Sequence, residues 1–127
     1  MKSQKYQITL NREQAQVISK ALDFYSRIIG GQFDEIRTLF WDAKPENFKK
    51  ADKILSRLKF LLTGMGDNGN LGIGNISEKG RNAYDLHQVI RHRLALDRPE
   101  SHHEFSVDFH PPFQWGTQPL AQIEGLE

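Results

Sequence analysis

The stretch from Ala83 to Asp97 carries four side chains whose types and helical spacing suit ligand binding. At about 100° per residue, Tyr84, His87, Gln88 and Arg91 line up along one side of a helix. An aromatic ring, an imidazole and a guanidinium side by side can hold an anion or a flat ring, because a guanidinium pairs bidentately with phosphate. The alternative is packing against a neighbouring helix through the apolar parts of Tyr and Arg. The pattern includes no nucleophile, so it favours binding over catalysis.

Two further arginines could either bind a ligand or simply lie at the protein surface. Arg27 lies four residues after Asp23, a spacing typical of a surface ion pair, and it is also a candidate ligand-binding residue. Arg57 belongs to a row of cations on another predicted helix, which is most simply a solvated face, although Arg57 can still reach a phosphate. That row comprises Lys49, Lys50, Lys53, Arg57 and Lys59.

A glycine-rich stretch separates two of the predicted helices. Residues 64–69 match the pattern G-x-G-x-x-G, but a dinucleotide site requires a strand before that pattern and a helix directly after it, whereas here a helix precedes it. The surrounding loop, residues 63–76, contains five glycines. Two interpretations remain for it: a flexible loop that closes over a ligand, or a plain surface loop.

The histidines predict no metal site. His87 and His92 are five residues apart, which places them about 140° apart around a helix, so they cannot share an ion without help. The sequence has no H-E-x-x-H motif. Asp108 and His110 form the strongest metal candidate, and the alternative is exposed histidines flanking a strand.

Composition narrows the class of protein. The chain has 127 residues, a formal net charge of +1 and no cysteine. Its length predicts one domain, its charge argues against a dedicated nucleic-acid binder, and the lack of thiols excludes disulfides and zinc–cysteine sites. The first residues lack the apolar core of a signal peptide, and no apolar run reaches the roughly 18 residues of a membrane span. We therefore expect a cytoplasmic protein without a membrane partner or a cofactor.

Residue patterns predict two strands and four helices. Tyr6, Ile8 and Leu10 alternate with polar residues, and so do Phe105, Val107 and Phe109, as half-buried strands do. Asn11 and Gln14 resemble a capping box. Helices are expected over residues 11–29, 32–41 and 45–62, and a fourth, which contains residues 83–97, follows the loop that ends at Ile76 and ends before Pro99. Gly30 and Gly31 end the first, and Pro45 opens the third. Ala83, Leu86, Ile90 and Leu94 form the apolar stripe of the fourth.

These elements predict an α+β fold. The short N- and C-terminal strands would form a small sheet packed against about four helices, in one domain over residues 1–110. Residues 111–127 contain three prolines and no clear period, which predicts an extended or disordered arm. Because two strands alone are marginally stable in water, pairing with another copy, and hence a homo-oligomer, is expected.

Two segments resemble a family of small proteins encoded by bacteriophages and prophages. They are ALDFYSRIIGGQFDEI, residues 21–36, and AYDLHQVIRHRLALD, residues 83–97. Within that group the chain resembles the anti-Thoeris sponges. The resemblance implies binding of cyclic ADP-ribose isomers without degradation, a second site for cyclic di- or trinucleotides in some members, and assembly into multimers. It also implies that an aromatic residue and an asparagine ten positions apart contact the base, a spacing that Phe60 and Asn70 have.

The sequence thus predicts a non-enzymatic, homo-oligomeric phage protein that sequesters a cyclic nucleotide immune signal in the cytoplasm of the infected host. Its predicted ligand-binding residues are Arg91, His87, Tyr84, Gln88, Phe60, Asn70, Arg27 and Arg57. Two alternatives remain open. One is an interaction module that docks on a host enzyme, and the other is a small hydrolase assisted by a metal at Asp108 and His110.

Overall fold

A computed structural model describes residues 4–99 and 106–126. Its helices are α1, Arg12–Ile29; α2, Glu35–Thr38; α3, Phe48–Thr63; and α4, Glu78–Leu96. Three short 3₁₀ turns, Pro45–Asn47, Ile73–Asn75 and Val107–Phe109, lie between or after them. No described helix is both long enough and apolar enough to span a bilayer.

The predicted α+β fold is wrong, because the described residues contain no strand and therefore no sheet. Residues 4–10 are irregular, and Tyr6 and Ile8 are exposed to solvent, so the alternating pattern has no sheet face to pack on. Phe105 lies outside the described residues. Val107–Phe109 form a 3₁₀ turn, because the Ser106 hydroxyl accepts from Asp108 N at 3.2 Å and the Ser106 carbonyl accepts from Phe109 N at 3.1 Å.

The capping-box prediction for α1 is confirmed. The Asn11 side chain accepts from Gln14 N at 2.9 Å, and the Gln14 side chain accepts from Asn11 N at 3.0 Å. The helix ends at Gly30, and Gly31 adopts a left-handed φ of 92° that suits glycine alone. This turn lets the chain leave α1 beside the glycine-rich loop, where Leu71 N donates to Gly30 O at 2.8 Å.

The second and third helices differ from their predicted bounds. The second is a single turn, Glu35–Thr38, flanked by other turns. Pro45 opens a 3₁₀ turn that leads into α3 instead of opening the α-helix itself. The fourth follows the loop that ends at Ile76 and ends before Pro99, as predicted: it runs from Glu78 to Leu96, and the Ser77 hydroxyl at its start accepts from Gly80 N at 3.4 Å.

The centre of the fold is α4, which is covered on two sides. One side packs on α1, and the opposite side is covered by the irregular chain from residue 106 to residue 120. For this reason α4 buries polar as well as apolar residues. Of the predicted apolar stripe, Ile90 is buried and the other three members are half-buried, while the polar members of the buried set are Asp85, His87 and Gln88.

Candidate functional site

The predicted row on α4 divides between the two sides of the helix, and His87 turns toward α1. Its Nδ1 lies 2.8 Å from the Ser19 hydroxyl and 2.9 Å from the Ser19 carbonyl, and its Nε2 lies 3.8 Å from Asp23 Oδ1. Burial lowers the pKa of His87 below its ordinary value, although the nearby Asp23 carboxylate acts to raise it. His87 therefore joins α1 to α4 as a buried, hydrogen-bonded side chain.

Ser19, His87 and Asp23 have the residue types of a hydrolytic triad. The Ser19 hydroxyl is buried, however, and does not line either cleft described below. The same imidazole nitrogen, Nδ1, also lies near the Ser19 carbonyl, so the hydroxyl and the carbonyl of Ser19 both compete for it. This geometry serves packing, and sequence spacing gave no sign of it because Ser19 and His87 are 68 residues apart.

Gln88 faces the other side of α4 and binds the C-terminal part of the chain. Its side chain donates to Phe113 O at 2.9 Å and accepts from Phe113 N at 3.1 Å. Its amide is therefore already bonded to a main-chain peptide group. The structure gives Gln88 a role in packing, which was the alternative left open for this row.

Arg91 lies near the C-terminal turn at Asp108. Its Nε is 3.9 Å from Asp108 Oδ1, while Arg98 Nη2 donates to Asp108 Oδ2 at 2.9 Å. The Asp108 carboxylate is thus directed toward two guanidinium groups. Among the described residues, no three potential metal ligands lie close enough together to hold an ion. Asp108 and His110 are therefore not part of such a group.

Tyr84 and Arg27 line a cleft of about 190 Å³ between α1, α4 and the glycine-rich loop. Arg27 is bonded to its surroundings, at 3.0 Å from Asp23, 3.2 Å from Gln32 and 3.5 Å from Glu35. Burial acts to lower the pKa of Arg27, but the two carboxylates outweigh it and hold the pKa above its ordinary value. Because two acids surround one base, this cleft suits a neutral or donor-rich group better than a phosphate.

A second, wider cleft lies between α3 and the start of the glycine-rich loop, and we call it the Arg57 cleft. It has a volume of about 590 Å³ and opens broadly to solvent. Lys53, Arg57 and Phe60 follow one another at i, i+4 and i+7 along α3, so they lie on one face of the helix. The remaining lining residues are Asp52, Ser56, Gly66 and Asp67.

The acids of the Arg57 cleft already have partners. Asp52 Oδ1 accepts from Arg37 Nε at 2.7 Å, and Asp67 accepts from the Ser56 hydroxyl. Lys59 Nζ donates to Asp67 O at 3.1 Å, which fixes the loop against the helix. Within the described part of the chain, Lys53 and Arg57 form no ion pair, so their charges are available to an anion.

Phe60 and Asn70 do not line the same cleft. The Phe60 ring is 61% exposed at the edge of the Arg57 cleft. Asn70 lies next to the turn at Gly31, with its Cα 4.0 Å from the position that a Cβ on Gly31 would take. Lys53 was predicted only as part of a solvated face, although its spacing to Arg57 and Phe60 is visible in the sequence.

Comparison with known proteins gives no match to a family model, to a curated protein or to a solved structure.

Proposed function

We propose that the protein binds an anionic nucleotide in the Arg57 cleft. The observation that carries this proposal is the row of Lys53, Arg57 and Phe60 on one face of α3, facing the main chain at Gly66 and Asp67. A phosphate requires positive charge, and a base requires a flat apolar surface. The row supplies both within two turns of one helix.

The chemistry of each residue suits a separate part of such a ligand. The Arg57 guanidinium can donate two parallel hydrogen bonds to a phosphate, and Lys53 adds a second positive charge one turn away. The exposed Phe60 ring offers a surface on which a base stacks, worth about 1–3 kcal/mol by comparison with other proteins. Arg37 offsets the charge of Asp52, whereas Asp67 keeps its charge because the Ser56 hydroxyl that donates to it is neutral. The two cations of the row outnumber this one carboxylate.

The resemblance to anti-Thoeris sponges extends this proposal to a cyclic nucleotide immune signal. In this account the ligand is a cyclic ADP-ribose isomer or a cyclic di- or trinucleotide, which the protein holds unaltered in the cytoplasm of the infected host. Sequestration needs affinity and enough copies of the protein, and it needs no reaction. The ligand therefore leaves the denatured complex chemically unchanged.

We also propose that the protein self-associates through α3. Beside the cationic row, α3 exposes apolar side chains that recur at helical spacing: Ile54, Leu58, Leu61 and Leu62. A row of this kind on a helix is typical of a face that packs against another helix. An interaction module that docks on a host enzyme would use the same face. The mass of the purified protein in solution distinguishes the two cases, because only self-association gives a multimer.

A thermal-shift screen against cyclic nucleotides tests the proposed function. A ligand that binds only the native state raises the melting temperature, because it stabilises by RT ln(1 + [L]/Kd). Chromatography of the ligand recovered after heating then separates a sponge, which returns it intact, from a hydrolase, which returns product. An interaction module would leave both the melting temperature and the ligand unchanged.

A further inference from the structure

Three side chains of α4 bind the main chain of one extended segment. Asn82, Asp85 and Gln88 follow at intervals of three residues, and we call them the clasp. They contact residues 113–118, the C-terminal segment, in reverse order: Gln88 binds Phe113, Asp85 binds residues 115 and 116, and Asn82 binds residues 117 and 118. The segment therefore runs antiparallel to the helix.

The clasp binds mainly peptide groups, and in addition Asn82 Nδ2 donates to the Thr117 hydroxyl at 3.4 Å. Asp85 accepts from Trp115 N at 2.9 Å and from Gly116 N at 2.8 Å. Asn82 Oδ1 accepts from Thr117 N at 3.0 Å, and Gln88 both donates to and accepts from the Phe113 backbone. A neighbouring β-strand would satisfy an extended chain in a similar way, with paired donors and acceptors.

Side-chain selectivity enters at Gly116. A Cβ at this position would lie 2.0 Å from Asn82 Oδ1 and 3.1 Å from Asn82 N, a backbone atom that cannot move aside. A larger residue would therefore displace the Asn82 side chain, which bonds residues 117 and 118, and would move the segment away from Asn82 N. The clasp fits an extended peptide that has glycine at this one position.

The bound segment helps to cover the clasp. With it in place Asp85 and Gln88 are 4% and 7% exposed, and their hydrogen bonds to the peptide groups of residues 113, 115 and 116 replace bonds to water. Phe113 is 60% and Trp115 is 41% exposed, so partial burial of these two rings adds to the hydrogen bonds of the segment. An identical segment from another molecule would make the same contacts.

We propose that the clasp is a peptide-binding site that exchanges its occupant, taking the C-terminal segment of a second copy of this chain in place of its own. A second copy of this chain has the same sequence, so its C-terminal segment carries the glycine that the clasp requires at position 116. Pro111 and Pro112, directly before the segment, restrict the backbone to extended conformations in either arrangement and so limit the entropy lost on binding. Exchange of identical elements is a low-cost route to association. This proposal does not rest on the Arg57 cleft or on nucleotide binding.

Energy transfer between full-length chains tests the exchange. The sequence has no cysteine, so one population is labelled with a donor at Lys20→Cys and another with an acceptor at Ala121→Cys. Both positions are exposed. After the two populations are mixed at tens of micromolar and incubated for hours, we expect transfer between chains to develop. Persistent absence of transfer overturns the proposal.

Two controls separate exchange from association through another surface. The Gly116→Val substitution in the acceptor chain should abolish most of the transfer, whereas Leu58→Glu in both chains should leave it in place. A synthetic peptide of residues 111–126 should also suppress transfer between otherwise unsubstituted labelled chains, and the same peptide with Gly116→Val should not. The peptide experiment does not depend on how the Gly116→Val protein folds. Equal suppression by both peptides, or transfer that survives Gly116→Val, would contradict exchange.

Discussion

The hydroxyl of Ser19 on α1 lies 2.8 Å from Nδ1 of His87 on α4, so a polar pair joins the two helices through their interface. Both residues are buried. The contact matters because none of the described large side chains is completely buried, so the apolar core is small. Loss of this pair would leave a polar atom without its partner at the centre of the fold.

His87 makes stability depend on pH. The pKa of His87 in the folded protein lies below the value near 6.5 of an unfolded chain. Below about pH 6.5 the unfolded state therefore binds a proton more readily than the native state, and the free energy of unfolding decreases as pH falls. Urea unfolding between about pH 7.5 and about pH 5.5 should show this decrease, and His87→Gln should reduce it. His110→Gln, at an exposed position, is the control. A free energy of unfolding that rises on acidification would contradict this assignment.

The Asp85 carboxylate should be important for stability. Replacing it with Ala removes the acceptor for the Trp115 and Gly116 amides, and hydrogen bonds to charged groups contribute about 1.5–3 kcal/mol each. We expect Asp85→Ala to lower the free energy of unfolding by about 2–4 kcal/mol in a urea titration. Asp97→Ala is the matched control on the same helix, because its ion pair with Arg93 is at the surface and should contribute less than about 1 kcal/mol. Equal effects of the two substitutions would contradict the account.

Gly31 should not tolerate a side chain. Its φ is 92°, and a Cβ would lie 2.6 Å from Met65 Cε, so Gly31→Ala adds backbone strain and a contact that Met65 must relieve. We expect a loss of about 1–3 kcal/mol. Gly66→Ala, in the glycine-rich loop with open space around it, should change stability by under about 1 kcal/mol. Thermal unfolding of both variants provides the comparison, and a neutral Gly31→Ala would rule out the left-handed turn.

Local patterns predicted part of the fold. The capping box of Asn11 and Gln14 depends on residues three apart, so the sequence was enough to place the start of α1. The alternation of Tyr6 and Ile8 is also local, but a strand needs a partner, and the described residues supply none. A sequence pattern shows which residues are able to form a strand, and it does not show whether a neighbour is present.

The candidate site shows the same limit. The helical spacing of Tyr84, His87, Gln88 and Arg91 was correct, but their surroundings depend on distant segments. Ser19 lies 68 residues from His87, and Phe113 lies 25 residues from Gln88. Contacts of this kind leave no periodic trace in a single sequence. By contrast, the spacing of Lys53 to Arg57 and Phe60 was readable, and only the position of the loop opposite them needed the structure.

Self-association through α3 predicts a change of mass on substitution. Leu58→Glu places a charge in the middle of the exposed apolar row and should convert the multimer to smaller species, as measured by light scattering at micromolar concentration. Leu126→Glu makes the same change at an exposed leucine outside the row and should leave the mass unchanged. A parent protein that is monomeric at this concentration would contradict self-association directly.

Titration calorimetry of the parent and Arg57→Ala proteins tests the proposal that the Arg57 cleft binds a cyclic nucleotide. The parent protein should bind a cyclic ADP-ribose isomer or a cyclic dinucleotide. Arg57→Ala should weaken that binding by about 1.5–3 kcal/mol, or on the order of 10- to 100-fold, with no loss of melting temperature in the absence of ligand. Arg12→Ala, at an exposed arginine outside the cleft, should bind like the parent. Equal affinity of the parent and the Arg57→Ala protein, or no binding of any cyclic nucleotide by the parent, would contradict the account.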